Sequence, residues 1–299
     1  MLSAKWFMET RPQFLLLSVV LVAHGAMLAL WQGSFSWTRM LLAAIALLLM
    51  HASVNVLNDW HDYSRTGIDK RTRRTPFSGG SGLLPAGVMT AKGALVLGLG
   101  TLLVACAIGL YLAWISGWPL LAIGVLGALS VVAYTPVLTR IGLGEVAAGL
   151  ALGTLPVVGA YYLFTGRLDA VAWVSGIPAG LLTYNLLLLN EFPDAEADAA
   201  GGRRHMVILL GKRGASWLYA AVEAGVYVAV IAGVAAGMLT PWALLSLGGA
   251  IFAAKAIQGA LQHYDSHEAL IPAQGANVAA VLVTNALLAI GYLIAALTG

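Results

Sequence analysis

The chain has 299 residues, 60% of them hydrophobic and only 10% charged, with a mean hydropathy of +0.86. Soluble domains carry about 25% charged residues, so this composition excludes an ordinary water-soluble enzyme. A single cysteine, Cys106, excludes an intrachain disulfide framework and a cysteine metal cage. The net charge of +3, without a basic tail or a basic–aromatic array, excludes a nucleic-acid surface.

Apolar runs long enough to span a bilayer follow one another at roughly 13–31, 38–60, 91–115, 118–136, 143–164, 170–190, 215–238, 241–262 and 272–297, nine in all. The first follows Lys5 and Arg11, as a signal peptide would. Its apolar run is long for a signal core, so it is expected to stay as an anchor. Two connections are long and polar, at about 60–90 and 191–214, whereas those at the other end are as short as Ser116-Gly117.

Charge then orients the spans. Of 16 Lys and Arg, all but Arg39 and Arg167 (hence 14) fall on or near the N-terminal side. Of 13 acids, all but Asp169 (hence 12) do the same. The positive-inside rule makes that side cytoplasmic and puts the C-terminus outside. The expected fold is all-α: a multi-pass cell-membrane protein whose nine transmembrane helices surround a central cavity open to the cytoplasmic side. A single domain covers 1–299, with two related parts at about 13–136 and 143–262 and a last helix at 272–297.

Two acid clusters carry the chemistry. Asn55-Val-Leu-Asn58-Asp59-Trp-His-Asp62 ends the second span, and Asn190-Glu-Phe-Pro-Asp194-Ala-Glu-Ala-Asp198 ends the sixth. The spacing predicts one helical face for Asn55, Asp59 and Asp62, and one for Asn190, Asp194 and Asp198. Asn58 and Glu196 fall on other faces, and Pro193 is placed to kink the end of the sixth span. Carboxylates at a membrane boundary are costly unless they hold a cation or a partner. A hard cation such as Mg²⁺ suits them and commonly bridges to substrate phosphates. Two facing pairs, Asp59 with Asp62 and Asp194 with Asp198, could hold two such ions on one diphosphate.

Each cluster has a basic tail: Arg65, Lys70, Arg71, Arg73 and Arg74 after the first, Arg203, Arg204, Lys212 and Arg213 after the second. Topology alone predicts cationic loops here; a diphosphate would also need them. Arg71, Arg74, Arg203 and Lys212 are the candidates for that second role. Gly79-Gly80-Ser81-Gly82 could let backbone approach a phosphate, but is expected to be a flexible hinge.

These motifs resemble the UbiA superfamily of intramembrane aromatic prenyltransferases, over nearly the whole chain. The resemblance implies that the two acid motifs, on the second and sixth of nine helices, bind Mg²⁺ and an isoprenyl diphosphate. Within it, Asn55–Asp62 followed by Gly67-Ile-Asp69 resembles the 1,4-dihydroxy-2-naphthoate (menaquinone) branch. So do Gly142-Leu-Gly-Glu145, Gly159-Ala-Tyr-Tyr162, and the stretch from Asp194 through Gly202-Arg203-Arg204 to Leu210-Gly211-Lys212. Two departures stand out. The first cluster reads Asp59-x-x-Asp62 where many members have one more intervening residue, which makes Asp69 a candidate extra carboxylate. The second reads Asn-Glu where the branch commonly has Asn-Asn. The resemblance also places Tyr134 and Arg140, after the fourth span, beside the active cavity.

The implied reaction is transfer of a polyprenyl chain from its diphosphate to an aromatic acceptor in the bilayer. The acceptor best supported is 1,4-dihydroxy-2-naphthoate; 4-hydroxybenzoate, homogentisate and a glycerol-phosphate lipid are alternatives. A cation-coupled transporter is the rival from another class. Of the remaining marked residues, Glu145 is expected either in the site or at a helix N-terminus, and Tyr161 and Tyr162 in an interfacial aromatic belt. His24 is expected to be packed, His51 to line the cavity, His61 and His205 to lie in polar loops near substrate, and His263–Glu268 to be a solvated loop.

Overall fold

A run of about twenty apolar residues can satisfy its backbone in lipid only by coiling into a helix, and the chain does so throughout. The computed structural model describes the backbone of residues 2–299 and the side chains from Lys5 onward, and no strand occurs among the described residues. A short helix α1 (Leu2–Glu9) precedes α2 (Pro12–Trp31), α3 (Trp37–His61), α4 (Ala91–Ser116) and α5 (Trp118–Tyr134). Next come α6 (Gly144–Gly149) and α7 (Leu155–Thr165), joined by one wide turn, 150–154, into a single span. Then follow α8 (Ala170–Asn190), the short α9 (Ala195–Ala200), α10 (Met206–Ala235), α11 (Ala250–His263) with a tight 3₁₀ lead-in from Pro241, and α12 (Ile271–Thr298). Eight of these units are long and apolar enough to cross a membrane, and α5 is a shorter ninth.

The spans run alternately up and down, so all the long polar connections meet at one end. The opposite end carries exposed Trp37, Trp114, Trp118, Trp173 and Trp242, as expected where rings meet the lipid interface. Two boundaries differ from the sequence pattern. The second span runs on through a wide turn to Thr66 and stops at Gly67, so Asp59 and Asp62 belong to the helix itself. The seventh begins at Met206 rather than 215, with a left-handed break at Gly211 (φ 72) inside it.

Packing uses small residues at close crossings. A Cβ on Gly153 would lie 2.6 Å from the Ala179 carbonyl oxygen and 2.7 Å from the Gly180 Cα, so the α6–α7 span and α8 touch backbone to backbone. Such contacts stabilise helix pairs in lipid, where no hydrophobic force separates helix from tail. Buried polar pairs add to this. His24 is fully buried and bonds Ser175 Oγ (2.8 Å) and Asn285 Oδ1 (3.1 Å), and Ser175 also meets Tyr292 Oη at 2.7 Å. Tyr161 and Tyr162 do not form a lipid-facing belt. Both are buried: Tyr161 donates to Asp169 Oδ2 (2.6 Å) and Tyr162 to the Ser116 carbonyl (2.9 Å), pinning two short loops.

The crossing at Gly153 sets an expectation. Gly153→Val is expected to destabilise the protein by about 1–3 kcal/mol through overpacking, read as a lower unfolding midpoint in detergent. Gly100→Ala, where an added Cβ meets nothing within 4 Å, is expected to leave the midpoint unchanged or slightly raised.

Candidate active site

A cavity of about 310 Å³ opens among α2, α3, α5, the α6–α7 span and α8. Its deep wall is apolar, with Val22, Ala43, Leu120, Ile123 and Leu163 reaching toward the tryptophan end. Its mouth is acidic. Six carboxyl groups (Asp59, Asp62, Asp69, Glu191, Asp194, Asp198) line it against two guanidiniums, Arg11 and Arg203.

The two acid clusters meet across this mouth. Arg203 bridges them, donating from Nη2 to Asp62 Oδ2 (2.5 Å) and from Nη1 to Asp198 Oδ1 (3.0 Å). The 79–82 segment crosses the same gap as a strap. The Gly79 N–H donates to Asp194 Oδ2 (2.9 Å) and the Ser81 N–H to Asp59 Oδ2 (2.6 Å). Gly79, Gly80 and Gly82 all have positive φ, and a Cβ on Gly80 would stand 2.9 Å from Asp59 Oδ1. Only glycine lets the backbone pass so close to the acid. The segment expected to be a hinge is thus tied at both ends to the site.

The N-terminal segment closes over the strap. Glu9 is fully buried and accepts from Ser81 Oγ (2.7 Å), and Asn55 Nδ2 donates to the Thr10 carbonyl (2.9 Å). Arg11, in a left-handed conformation rare for a non-glycine residue, turns its guanidinium into the cavity wall and donates to the Phe77 carbonyl (3.4 Å).

Of the residues predicted from sequence, Asp59, Asp62, Asp69, Asp194, Asp198, Asn55, Asn58, Asn190, Tyr134 and Arg203 line the cavity, as does His51. Asn58 Nδ2 donates to Thr135 Oγ1 (3.0 Å), and Asn190 Oδ1 accepts from Gln274 Nε2 (3.4 Å). Four candidate cations do not line it. Arg71 and Arg140 are exposed. Arg74 stands behind Asp69 and pairs with it, also donating to its backbone carbonyl at 2.6 Å. Lys212 turns outward to Asp265 (3.1 Å), a residue of the loop after α11. Arg11 and Glu191 are cavity residues that sequence reasoning did not single out. Arg11 looked like a topology charge, and its signal was only its place just ahead of an N-terminal Pro.

Burial makes Asp194, Asp69 and Glu191 hard to ionise. Burial first, and Asp198 second, push Asp194 up to about 7, and the Gly79 N–H offsets only part of this. Asp69 is pushed up to about 6 by burial and then by Asp59, against the pull of Arg74. Glu191 is raised well above the usual range by burial and by Glu145. Several oxygens are also left over: Asp62 Oδ1, Asp194 Oδ1 and Glu191 Oε2 are buried without a hydrogen-bond partner. Surplus carboxylates with unpartnered oxygens and few bases fit hard divalent cations.

The model of the UbiA prenyltransferase family matches residues 16–278. The chain is 29% identical to the 1,4-dihydroxy-2-naphthoate octaprenyltransferase of Bacillus subtilis, over 85% of this chain and 81% of that one. It is also 29% identical to the Escherichia coli enzyme of the same name, over 96% and 94%. Among solved structures, an apo UbiA homolog from Aeropyrum pernix superposes with a TM-score of 0.71 at 18% identity, covering 91% of this chain and 97% of that one. A UbiA homolog from Archaeoglobus fulgidus bound to GPP and Mg²⁺ gives 0.58 at 13% identity, covering 95% and 99%.

Glu9 gives the site a measurable pH signature. Burial first, then Asp59, raises its pKa to about 7. A raised folded-state value stabilises the protein fully below the unfolded value near 4.5, and that contribution is lost as pH climbs through 7. Glu9→Gln, which keeps the acceptor for Ser81, removes this dependence. The stability difference between variant and parent is expected to move in the variant's favour between pH 4.5 and 7.5, by no more than about 3 kcal/mol. Unfolding in detergent across that range, without divalent cations, checks it.

Proposed function

Since the chain belongs to the UbiA prenyltransferase family, and is therefore a membrane prenyltransferase, we propose that it transfers a polyprenyl group from its diphosphate to 1,4-dihydroxy-2-naphthoate, with Mg²⁺ as cofactor. The observation that carries the reading is the polarity of the cavity: an acid mouth where two aspartate clusters face each other, above a deep apolar wall. The acceptor is supported by the names of the Bacillus subtilis and Escherichia coli relatives. The excess of Lys and Arg at the polar end supports a cytoplasmic placement for the mouth and an outer placement for the C-terminus.

Asp59, Asp62, Asp194 and Asp198 are the residues that would hold the cations, two by the pairing of the clusters, with Asp69 beside them. When bound, Mg²⁺ supplies charge neutralisation for a diphosphate leaving group. The protein's own groups do the rest. Arg203 and Arg11 offer guanidiniums to the remaining phosphate charge. Arg203 sits between both clusters, so it can follow charge as it moves onto the departing oxygen. The apolar wall takes the prenyl tail. It reaches Leu120 and Leu163, near the far ends of their helices, so the tail can extend through most of the bundle. It also keeps water from the allylic carbon while the C–O bond breaks with its electron pair leaving on pyrophosphate. The electron-rich ring then forms the new C–C bond, and the carboxylate leaves as CO₂. Tyr134, Asn58 and Asn190 stand at the mouth to position the ring.

The test is direct. Purified protein with Mg²⁺, labelled geranylgeranyl or longer diphosphate and a panel of aromatic acceptors is expected to release pyrophosphate and to prenylate the naphthoate. Activity with another acceptor alone would replace the acceptor assignment, and no product with any acceptor would overturn the reading. Asp59→Ala and Asp194→Ala are each expected to lower kcat/KM by about 10²-fold or more, and Arg203→Ala by a comparable factor. Lys212→Ala, whose side chain faces Asp265, is expected to stay near the parent rate.

A further inference from the structure

A second cluster starts at Glu191 on the cavity wall and reaches behind that wall to two residues the cavity does not touch. Glu145 starts α6, Glu191 follows the last turn of α8, and His205 immediately precedes α10. One ligand-capable atom from each of the three lies within 4.8 Å of the others. All are buried, at 0%, 8% and 1% exposure. Glu145 and His205 do not line the cavity, so they do not face the diphosphate mouth.

Their polar atoms are not satisfied by the protein. Glu145 Oε1 accepts from the Met206 N–H (2.6 Å), capping α10, but its Oε2 has no partner. Glu191 Oε2 and both ring nitrogens of His205 also lack hydrogen bonds. His205 Nδ1 stands 3.7 Å from Glu191 Oε2, beyond hydrogen-bond reach, while Nε2 is 3.2 Å from Asp198 Oδ2. Arg203, the guanidinium whose field reaches Glu191, is already bonded to Asp62 and Asp198. Two dry carboxyl groups this close must share a proton or hold a cation between them, and Glu191 is within hydrogen-bond reach of Glu145 when it carries that proton.

An imidazole nitrogen aimed at two carboxylates is a ligand set for a borderline divalent cation; Mg²⁺ prefers oxygen and water. With the ring proton on Nε2, toward Asp198, Nδ1 is free to ligate. Nε2 is within reach of Asp198 Oδ2 but not hydrogen-bonded to it, so a small turn of the ring would complete the carboxylate–histidine–metal relay in which a neighbouring acid fixes the tautomer. Two carboxylates, one neutral imidazole and one divalent ion leave the pocket without net charge.

We propose that Glu145, Glu191 and His205 hold one divalent cation of the Mn²⁺, Fe²⁺, Co²⁺ or Zn²⁺ class, separate from the ions that bind diphosphate. The cation clips together the starts of α6 and α10 and the end of α8. Through His205 it also orients Asp198, making His205 a positioning residue. The site stands on geometry alone and does not depend on the prenyl-transfer reading.

The experiment uses detergent-purified full-length protein, stripped with a chelator and dialysed against Co²⁺ or Mn²⁺. One ion per chain is expected to survive dialysis in the parent and in the Asp59→Asn/Asp194→Asn double variant, where the diphosphate site is crippled. Pulsed electron paramagnetic resonance on the Mn²⁺ form of that variant is expected to show coupling to one imidazole nitrogen. Glu191→Gln and His205→Gln are each expected to weaken retention at least about tenfold. Should those variants fail to fold, the nitrogen coupling in the parent decides. No retained ion, or an ion with oxygen ligands alone, overturns the proposal. Absence of prenyl transfer in the parent, with the ion retained, would count against the proposed function and leave this site standing.

Discussion

Six carboxyl groups must be housed at the mouth of a cavity cut into a lipid-embedded bundle, and the polar end is built around that constraint. A buried ion pair is weak evidence of stability in itself, because desolvation cancels much of its attraction, yet removing one partner is costly. Arg203 holds such a position. It reaches Asp62 from one cluster and Asp198 from the other, residues far apart in sequence, and so fixes the distance between the ends of α3 and α8. Arg203 does not neutralise the whole set. Burial first, and a neighbouring acid second, hold Asp69, Asp194 and Glu191 above the usual carboxylate range despite its presence.

The same surplus explains the strap. A loop of more than twenty residues over an open cavity would ordinarily be held by side chains. Here its backbone N–H groups bind the carboxylates, with Gly79 on Asp194 and Ser81 on Asp59. Each strap bond uses one carboxylate oxygen, and on Asp194 the other oxygen is left unpartnered. Loop order and site charge are therefore linked. Glu9, Thr10 and Arg11 extend the link to the N-terminal segment, which touches the strap through Ser81 and Phe77 and α3 through Asn55.

Much of this was legible in the sequence for simple reasons. Membrane spans announce themselves by length and apolarity, and i, i+4 spacing at the end of a span puts acids on one face whatever the tertiary packing. The basic residues were not legible in the same way. Arg203, Arg71, Arg74, Arg140 and Lys212 all satisfy the positive-inside rule, and nothing local distinguishes one that turns inward from one that turns to Asp265 or Asp69. Arg11 was hidden for the converse reason, being read as topology alone. Tyr161 and Tyr162 sat where belts occur, but their hydroxyls had closer partners in Asp169 and Ser116 than the lipid interface could offer. Glu145, Glu191 and His205 come from three separate elements, so their convergence left no spacing to read.

Separation of charge from apolar surface along the cavity is what makes the chemistry coherent. An allylic diphosphate has an anionic head that needs cations and donors, and a tail that needs none. If donors were scattered along the wall, the tail would lose its binding energy and water would have groups to follow inward. In this bundle the charged side chains of the cavity gather at the polar end, on the ends of α3 and α8, the N-terminal hook and Arg203, while the wall below is mostly carbon, interrupted by His51, Ser130 and Thr183. On the proposed reading, the bond that breaks would lie at the boundary, where the leaving oxygen would face the acid clusters and the guanidiniums and the carbon it leaves would face a dry wall. A carbocation-like centre formed there would meet the ring before it could meet solvent.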